Sequence, residues 1–240
     1  MRRYTSVLML GTRGVVMPLI VVLLLMSAAE AGLFFRVRSD FATPWSIQYA
    51  LLASHVVWAY RTALVLLAAA CCVHVSGLGG SRVYYTMHRL RLSEWTVTVL
   101  LGLCYAAAFV VLWAAQAGIL TAVTAYCAAR AGAGAQAVFL ISWNDDFFHA
   151  MLPLGQWTGY VRQMLMALGM GMSCAVWSFW RRRNSFGYAA PIMVIAAAVF
   201  TGLGSRDFVV DISLGVGACI VAVCSLYFVS VEVSQCERTG

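Results

Sequence analysis

The chain has 240 residues, of which 62% are hydrophobic and only 10% are charged. Soluble domains have about 25% charged residues, so this composition excludes an ordinary soluble fold and favours a protein that lies in a lipid bilayer. The net charge of +7 comes from arginine, because the chain has no lysine. The arginines are scattered among short connections and form no basic face with interleaved aromatic residues, so the sequence predicts no nucleic-acid partner.

Six apolar segments are predicted to span the membrane as helices, since each span needs about 20 apolar residues. They cover approximately residues 15–35, 47–75, 95–129, 157–180, 188–203 and 208–233. The second is longer than a bilayer requires, so we expect it to be tilted or to begin with an interfacial turn near Trp45 and Tyr49. The third is also too long, and we expect it either to extend beyond the membrane or to break near Gly118. Residues 1–240 are therefore predicted to form a single all-α transmembrane domain.

Residues 131–156, between the third and fourth predicted spans, have a different composition. They are rich in glycine at first and then aromatic and acidic, and Pro153 and Gly155 would interrupt a long helix. This pattern predicts a short interfacial or re-entrant helix on the outer side rather than a span.

The distribution of arginine predicts the orientation, because cytoplasmic connections carry more arginine than outer ones. With six spans, both termini lie on the same side. If that side is the cytoplasm, the outer parts hold all of the aspartates and only Arg36, Arg38, Arg130 and Arg206. The cytoplasmic parts hold the larger set, which is Arg2, Arg3, Arg13, Arg82, Arg89, Arg91, Arg181, Arg182, Arg183 and Arg238. Both termini are therefore predicted to be cytoplasmic.

The connection between the second and third spans, "VYYTMHRLRLSEW" at residues 83–95, is polar and basic. Residues 84–94 can form a short helix at the membrane surface. Ser93 is a candidate N-cap for the third span, which places Glu94 at the positive end of that helix. This segment is either a charged loop that only fixes topology or a surface through which a soluble partner acts on the helices.

A basic amino terminus, two spans, the segment "YTMHRLRLSE" and a long third span together resemble the permease subunits of the ATP-binding cassette type-2 exporter group. The residues that match the pattern of this group are Tyr85, Thr86, Met87, Arg89, Leu90, Ser93 and Glu94. The run "NDDFFHAMLPL", followed by a span that ends in arginines, also resembles the outer region and fourth span of small bacterial permeases in the group. The resemblance implies a coupling helix that docks on a nucleotide-binding subunit through Tyr84, Tyr85, Met87, His88, Arg89, Leu90, Arg91 and Glu94.

The resemblance also implies how the protein acts. It implies substrate export through the bacterial plasma membrane, driven by ATP and Mg bound to separate cytoplasmic ATPase subunits, with a second permease subunit that is identical or related. The chain itself has no Gly-rich loop with lysine, so it is not a complete P-loop ATPase and is expected to bind no cofactor. A non-transport membrane scaffold or assembly subunit is the alternative. An intramembrane enzyme is disfavoured, because no catalytic dyad, carboxylate pair or metal constellation shares one depth across the spans.

Two charged residues, Glu30 and Arg61, lie inside predicted spans, where an isolated charge costs roughly 2.5–3.5 kcal/mol. Each lies about 14 or 15 residues from the inner end of its span, so the two are predicted to share one depth. We expect an ion pair that fixes how the two helices pack, with a role in substrate passage or simple exposure to outer water as the alternatives. Arg162 is expected to extend to the outer interface, and Gln116 to make a polar contact between helices.

Asp145, Asp146 and His149 form the sequence "DDFFH". Asp145 and His149 share one face if this segment is helical. No second His or Cys lies nearby, so the sequence predicts no metal site. We expect these residues to form a helix cap or an outer gate that faces water.

Overall fold

The structure is a computed structural model and describes residues 2–37, 44–74, 92–132, 136–183, 187–200 and 207–239. Within these ranges all regular secondary structure is α-helical, which confirms the predicted all-α class. In chain order the helices are α1 (Arg2–Arg36), α2 (Pro44–Ala53), α3 (Val56–His74), α4 (Glu94–Arg130), α5 (Gln136–Asn144), α6 (Asp146–Met151), α7 (Trp157–Arg182), α8 (Ala189–Phe200) and α9 (Phe208–Thr239).

Four of these helices, α1, α3, α4 and α9, are long and apolar enough to cross a bilayer. The helix in the predicted fourth span, α7, has 26 residues but carries arginines at both ends and is largely enclosed by its neighbours. The helix in the predicted fifth span, α8, is strongly apolar but has only 12 residues. The described part of the chain therefore supports a membrane protein and contains four candidate spans where the sequence predicted six.

The predicted second span is divided into two helices, α2 and α3, at Ser54 and His55. The backbone of His55 has a φ of +53°, in the left-handed region that residues other than glycine seldom adopt. Its amide still donates to the Leu52 carbonyl at 3.3 Å, and the new helix begins as the Trp58 amide donates to the His55 carbonyl at 3.0 Å. The break thus lies beyond the interfacial turn that was expected near Trp45 and Tyr49.

The third predicted span is one continuous helix, α4, of 37 residues. The predicted break near Gly118 is absent, so the helix extends for about 55 Å at 1.5 Å per residue. Its start confirms the predicted cap, because the Ser93 hydroxyl accepts a hydrogen bond from the Thr96 amide at 3.3 Å.

The central helix of the bundle is α7, which packs along its length against α4 and α9. At the crossing with α4, Gly171 lies directly against Gly102 and Ala106. A Cβ atom on Gly171 would lie 2.6 Å from the Gly102 carbonyl oxygen and 2.7 Å from the Ala106 Cα. On the other side, a Cβ atom on Gly169 would lie 3.1 Å from the Ala218 Cβ of α9. Small residues therefore let three backbones approach closely, as is usual for helices that pack in membranes.

The ion pairs show how α7 and α9 are directed. Near the start of both helices Arg162 pairs with Asp211, and near their ends Arg183 pairs with Glu232, so α7 and α9 are parallel. The chain between them must return along the bundle through α8. We refer to the end of the bundle that holds Arg181, Arg182 and Arg183 as the arginine end, and to the end that holds Asp145 and Asp211 as the aspartate end.

Contacts at the arginine end also show the directions of the other long helices. Glu94, at the start of α4, pairs with Arg183, so α4 begins at the arginine end and is antiparallel to α7. The Ser178 hydroxyl donates to the Cys72 carbonyl at 3.4 Å, which places the end of α3 beside the end of α7. Gly14 of α1 lies against His74, so α1 also begins near the arginine end. The helices α1, α4 and α8 therefore run one way, and α3, α7 and α9 run the other.

The segment before α7 forms the short helices α5 and α6 at the aspartate end, which agrees with the prediction of a short helix instead of a span. Side chains of the neighbouring long helices hold this segment in place. The Trp113 indole donates to the Met151 carbonyl at 2.9 Å, and the Gln163 amide donates to the Ala150 carbonyl at 2.8 Å.

Candidate functional site

A network of ion pairs joins three helices at the arginine end of the bundle. The two terminal nitrogens of Arg183 contact Glu94 of α4 and Glu232 of α9, each at 3.1 Å. The guanidinium also lies over the Phe179 ring, with its carbon 4.8 Å from the ring centroid. These three charged side chains are partly exposed, so water screens them. One arginine therefore connects the first turn of α4 with the last turns of α7 and α9.

Glu94 is the one residue of the predicted ATPase-binding set whose position is described. Its carboxylate pairs with Arg183 of the same chain. The other predicted contacts lie outside the described residues, so the coupling helix stays a prediction; they are Tyr84, Tyr85, Met87, His88, Arg89, Leu90 and Arg91.

A buried ion pair lies near the aspartate end. Arg162 and Asp211 are 5% and 2% exposed, and a guanidinium nitrogen of Arg162 lies 2.5 Å from a carboxylate oxygen of Asp211. The Thr158 hydroxyl donates to the other carboxylate oxygen at 3.2 Å. The prediction that Arg162 extends to the outer interface is wrong, because α9 supplies a carboxylate inside the bundle. No local sequence pattern indicates this pair, since its two members lie on different helices.

The "DDFFH" sequence does not form a converging set of side chains. Asp145 is 5% exposed and caps α6, accepting a hydrogen bond from the Phe148 amide at 2.7 Å. This confirms the predicted cap. Burial raises the pKa of the Asp145 carboxyl, and the nearby Asp146 also raises it, although backbone hydrogen bonds oppose the shift.

Asp146 and His149, the other two residues of "DDFFH", lie in different environments. His149 is buried, with Nε2 3.4 Å from the Gln156 side-chain oxygen and its ring edge-on to Trp143. Asp146 is exposed. Among the described residues, no group of three His, Cys, Asp or Glu side chains is arranged to hold a metal ion. The role as an outer gate stays a prediction.

A buried polar cluster lies between α1, α3 and α4. Glu30 belongs to the stripe of α1 that faces the bundle, and it is only 3% exposed. Gln116 of α4, which is fully buried, and Tyr60 of α3 lie close enough to interact electrostatically with its carboxyl group. Neither carboxylate oxygen of Glu30 makes a geometrically acceptable hydrogen bond, and neither amide atom of Gln116 does. The Gln116 amide thus lies near the Glu30 carboxyl group of α1, where a polar contact between helices was predicted, but it completes no hydrogen bond of acceptable geometry there.

The structure does not form the predicted ion pair between Glu30 and Arg61, since no salt bridge joins these two described residues. Arg61 instead places its guanidinium carbon 5.0 Å from the centroid of the Trp58 ring. Tyr60 and Arg61 are consecutive on α3, so their side chains point about 100° apart around the helix. Because Tyr60 faces Glu30, Arg61 is directed elsewhere.

Arg61 lines a cavity of about 380 Å³ near the aspartate end, which we call the vestibule. Its lining includes three polar residues, His55, Arg61 and Asp145, and several apolar ones such as Phe147 and Leu120. Phe147 packs against Tyr60, with 6.2 Å between the ring centroids. An aromatic pair therefore connects the wall of the vestibule with the surroundings of Glu30. The sequence did not single out Tyr60, which nothing in the local pattern distinguishes from other aromatic residues of the spans.

Comparison of the chain with protein-family models, with curated proteins and with solved structures found no match.

Proposed function

We propose that this chain is the membrane-spanning permease subunit of an ATP-driven exporter of the ATP-binding cassette type-2 group. The four long apolar helices support its place in a bilayer. The alternating directions of α1, α3, α4, α7, α8 and α9 are those expected of six crossings. Under this proposal the arginine end is cytoplasmic and the membrane is the bacterial plasma membrane.

The observation that carries the proposal is the network around Arg183. The basic segment 82–91 is followed directly by the first turn of α4, where Glu94 lies. Arg183 pairs with both Glu94 and Glu232. A displacement of segment 82–91 would therefore act on α4, α7 and α9 together. A coupling helix needs such a connection, because partner movement does work only if the permease helices respond as a unit.

The implied partners are two cytoplasmic ATPase subunits, which hold ATP and Mg, and a second permease subunit. The α4 and α7 backbones touch at Gly102 and Gly171, which leaves no room for a substrate at that crossing. A transport path would therefore lie between two permease subunits. ATP-driven closure of the ATPases would drive transport only if they bind differently to the inward-open and outward-open arrangements.

The test is co-purification with candidate nucleotide-binding subunits from the same genome, each co-expressed with this chain. We expect one of them to co-purify and hydrolyse ATP, and we expect the double variant Arg89→Glu/Leu90→Asp to release it. The matched control is Arg36→Glu, which reverses an exposed charge at the aspartate end and should leave binding intact. Arg183→Gln should keep binding but reduce the stimulation of ATP hydrolysis, because it disconnects α4 from α9.

A non-transport membrane scaffold is the second candidate, and the close packing of the bundle interior favours it. Under this reading no ATPase co-purifies, or the double variant and the Arg36→Glu control behave alike. Either result would remove the basis for a coupling helix.

A further inference from the structure

We infer that Glu30 is a proton-binding site, buried between α1, α3 and α4 and reached from the vestibule. This role is additional to the proposed export function and does not depend on an ATPase partner. The occupant is the proton itself, held on the carboxyl group.

The surroundings of Glu30 are those of a neutral acid. Both carboxyl oxygens are buried and, like both polar atoms of the nearby Gln116 amide, make no hydrogen bond of acceptable geometry. A buried carboxylate that has no partner is costly, and such a group takes up a proton. A protonated Glu30 has one donor and one acceptor, and the neighbouring amide of Gln116 can complement both.

The helices packed against α1 bring no cation to this place. On α3, the titratable residues near the depth of Glu30 are Tyr60, which is uncharged, and Arg61, which lies over the Trp58 ring. From α4 the only polar side chain at this level is Gln116, and α4 has no charged residue between Glu94 and Arg130. On α1 itself the neighbours along the buried stripe are Met26 and Phe34.

A proton fits this site better than a larger ligand. Glu30, Gln116 and Tyr60 together offer one carboxyl group, one amide and one phenol. A metal ion would need more charged or carbonyl oxygens than these. The vestibule does not include Glu30 in its lining, so no organic cation in that cavity touches the carboxyl group. A proton needs no such volume.

The vestibule offers a route for the proton. It is lined by His55, Arg61 and Asp145, and Phe147 in its wall packs on Tyr60 beside Glu30. We therefore place the access route at the Tyr60–Phe147 contact, where movement of the two rings would connect the vestibule with the carboxyl group. Ionisable residues inside membrane proteins commonly face the bundle interior, as Glu30 does, and many of them mark proton relays.

Infrared difference spectroscopy of the full-length protein in detergent tests the site directly. The C=O stretching band of a protonated carboxylic acid should be present in the wild type at neutral pH and lost in Glu30→Gln, a near-isosteric variant that mimics the neutral acid. The band should disappear reversibly as the pH is raised while the protein stays folded. Glu94→Gln is the matched control, because Glu94 is partly exposed and paired with Arg183, and it should not change the band.

Three results would overturn the inference. A Glu30 that is ionised at neutral pH would show a carboxylate band instead. A band that persists until the protein unfolds would mean that Glu30 does not release its proton in the folded state. A protonated band that becomes stronger in Arg61→Gln would mean that Glu30 is ordinarily paired with Arg61.

The route through the vestibule has its own test. In D₂O, the rate at which the Glu30 band shifts reports how fast its proton exchanges. Phe147→Leu, which shortens the aromatic wall but keeps it apolar, should speed this exchange several-fold, with the folded state checked by thermal unfolding. An unchanged rate would place the access route elsewhere.

Discussion

Charged residues in this bundle differ in how strongly the fold depends on them, and their burial decides the difference. The pair Arg162–Asp211 is almost completely enclosed, with side chains 6% and 2% exposed. We expect Asp211→Ala to leave the Arg162 charge buried without a partner, at a cost of about 3–5 kcal/mol. The measurement is the free energy of unfolding of the purified protein in detergent, followed by tryptophan fluorescence.

The matched control for Asp211→Ala is Glu232→Ala. Glu232 lies on the same helix and also pairs with an arginine of α7, but its side chain is 36% exposed. Its loss should cost about 0–1 kcal/mol. The double variant Arg162→Met/Asp211→Leu should recover most of the stability, because apolar residues can replace a buried ion pair. Equal losses in Asp211→Ala and Glu232→Ala would contradict this account.

The same contrast explains which single residues could be predicted from the sequence. Glu30 and Arg61 were recognisable because a charge inside an apolar segment has no local explanation. Their partners were not recognisable, because the depth of two residues does not determine the direction in which each side chain points. Consecutive residues of a helix point about 100° apart, so only one of Tyr60 and Arg61 can face Glu30.

At the scale of the helices, the crossing of α4 and α7 depends on the absence of a side chain at Gly171. A methyl group there would contact backbone atoms of Gly102 and Ala106, which no change of side-chain conformation can relieve. We expect Gly171→Ala to destabilise the bundle by about 1–3 kcal/mol or more, as overpacked sites do. The check is the apparent melting temperature, measured by the accessibility of buried cysteines such as Cys174 to a thiol-reactive dye.

Gly118 provides the control for this substitution within α4. A Cβ atom on Gly118 would meet nothing within 4 Å. Gly118→Ala should therefore be neutral or stabilise the helix by up to about 1 kcal/mol, which is the difference in helix propensity. A similar loss from both substitutions would indicate a general intolerance of the helices to alanine and would contradict the specific contact.

The helices also show what hydropathy can and cannot predict. Long apolar runs correctly located α1, α4 and α9, because the pattern is summed over many residues. The division between α2 and α3 depends on one backbone conformation, at His55, inside a run that stays apolar on both sides. The continuity of α4 through Gly118 was equally hidden, because one glycine is tolerated in a helix that its neighbours support.

For the whole molecule, the decisive question is whether α7 and α8 cross the membrane with the four long apolar helices. The Arg162–Asp211 and Arg183–Glu232 pairs are about 21 residues apart on each helix, or roughly 32 Å, close to the thickness of a hydrocarbon core. Because α7 and α9 are parallel, the chain between Arg183 and Asp211 must return over the same distance. Its apolar helix, α8, is therefore expected to cross the core together with its flanking residues.

An epitope tag inserted at residues 184–186 separates six crossings from four. With six crossings these residues lie on the same side as both termini, so a protease added to intact spheroplasts should leave the tag uncut. With only α1, α3, α4 and α9 crossing, the termini still share one side, but residues 184–186 lie on the other and the tag is cleaved. A tag at residues 133–135 is the control, because both arrangements place it outside. We expect cleavage at 133–135 and protection at 184–186, since the two ion-pair layers of α7 and α9 are separated by about the thickness of a hydrocarbon core.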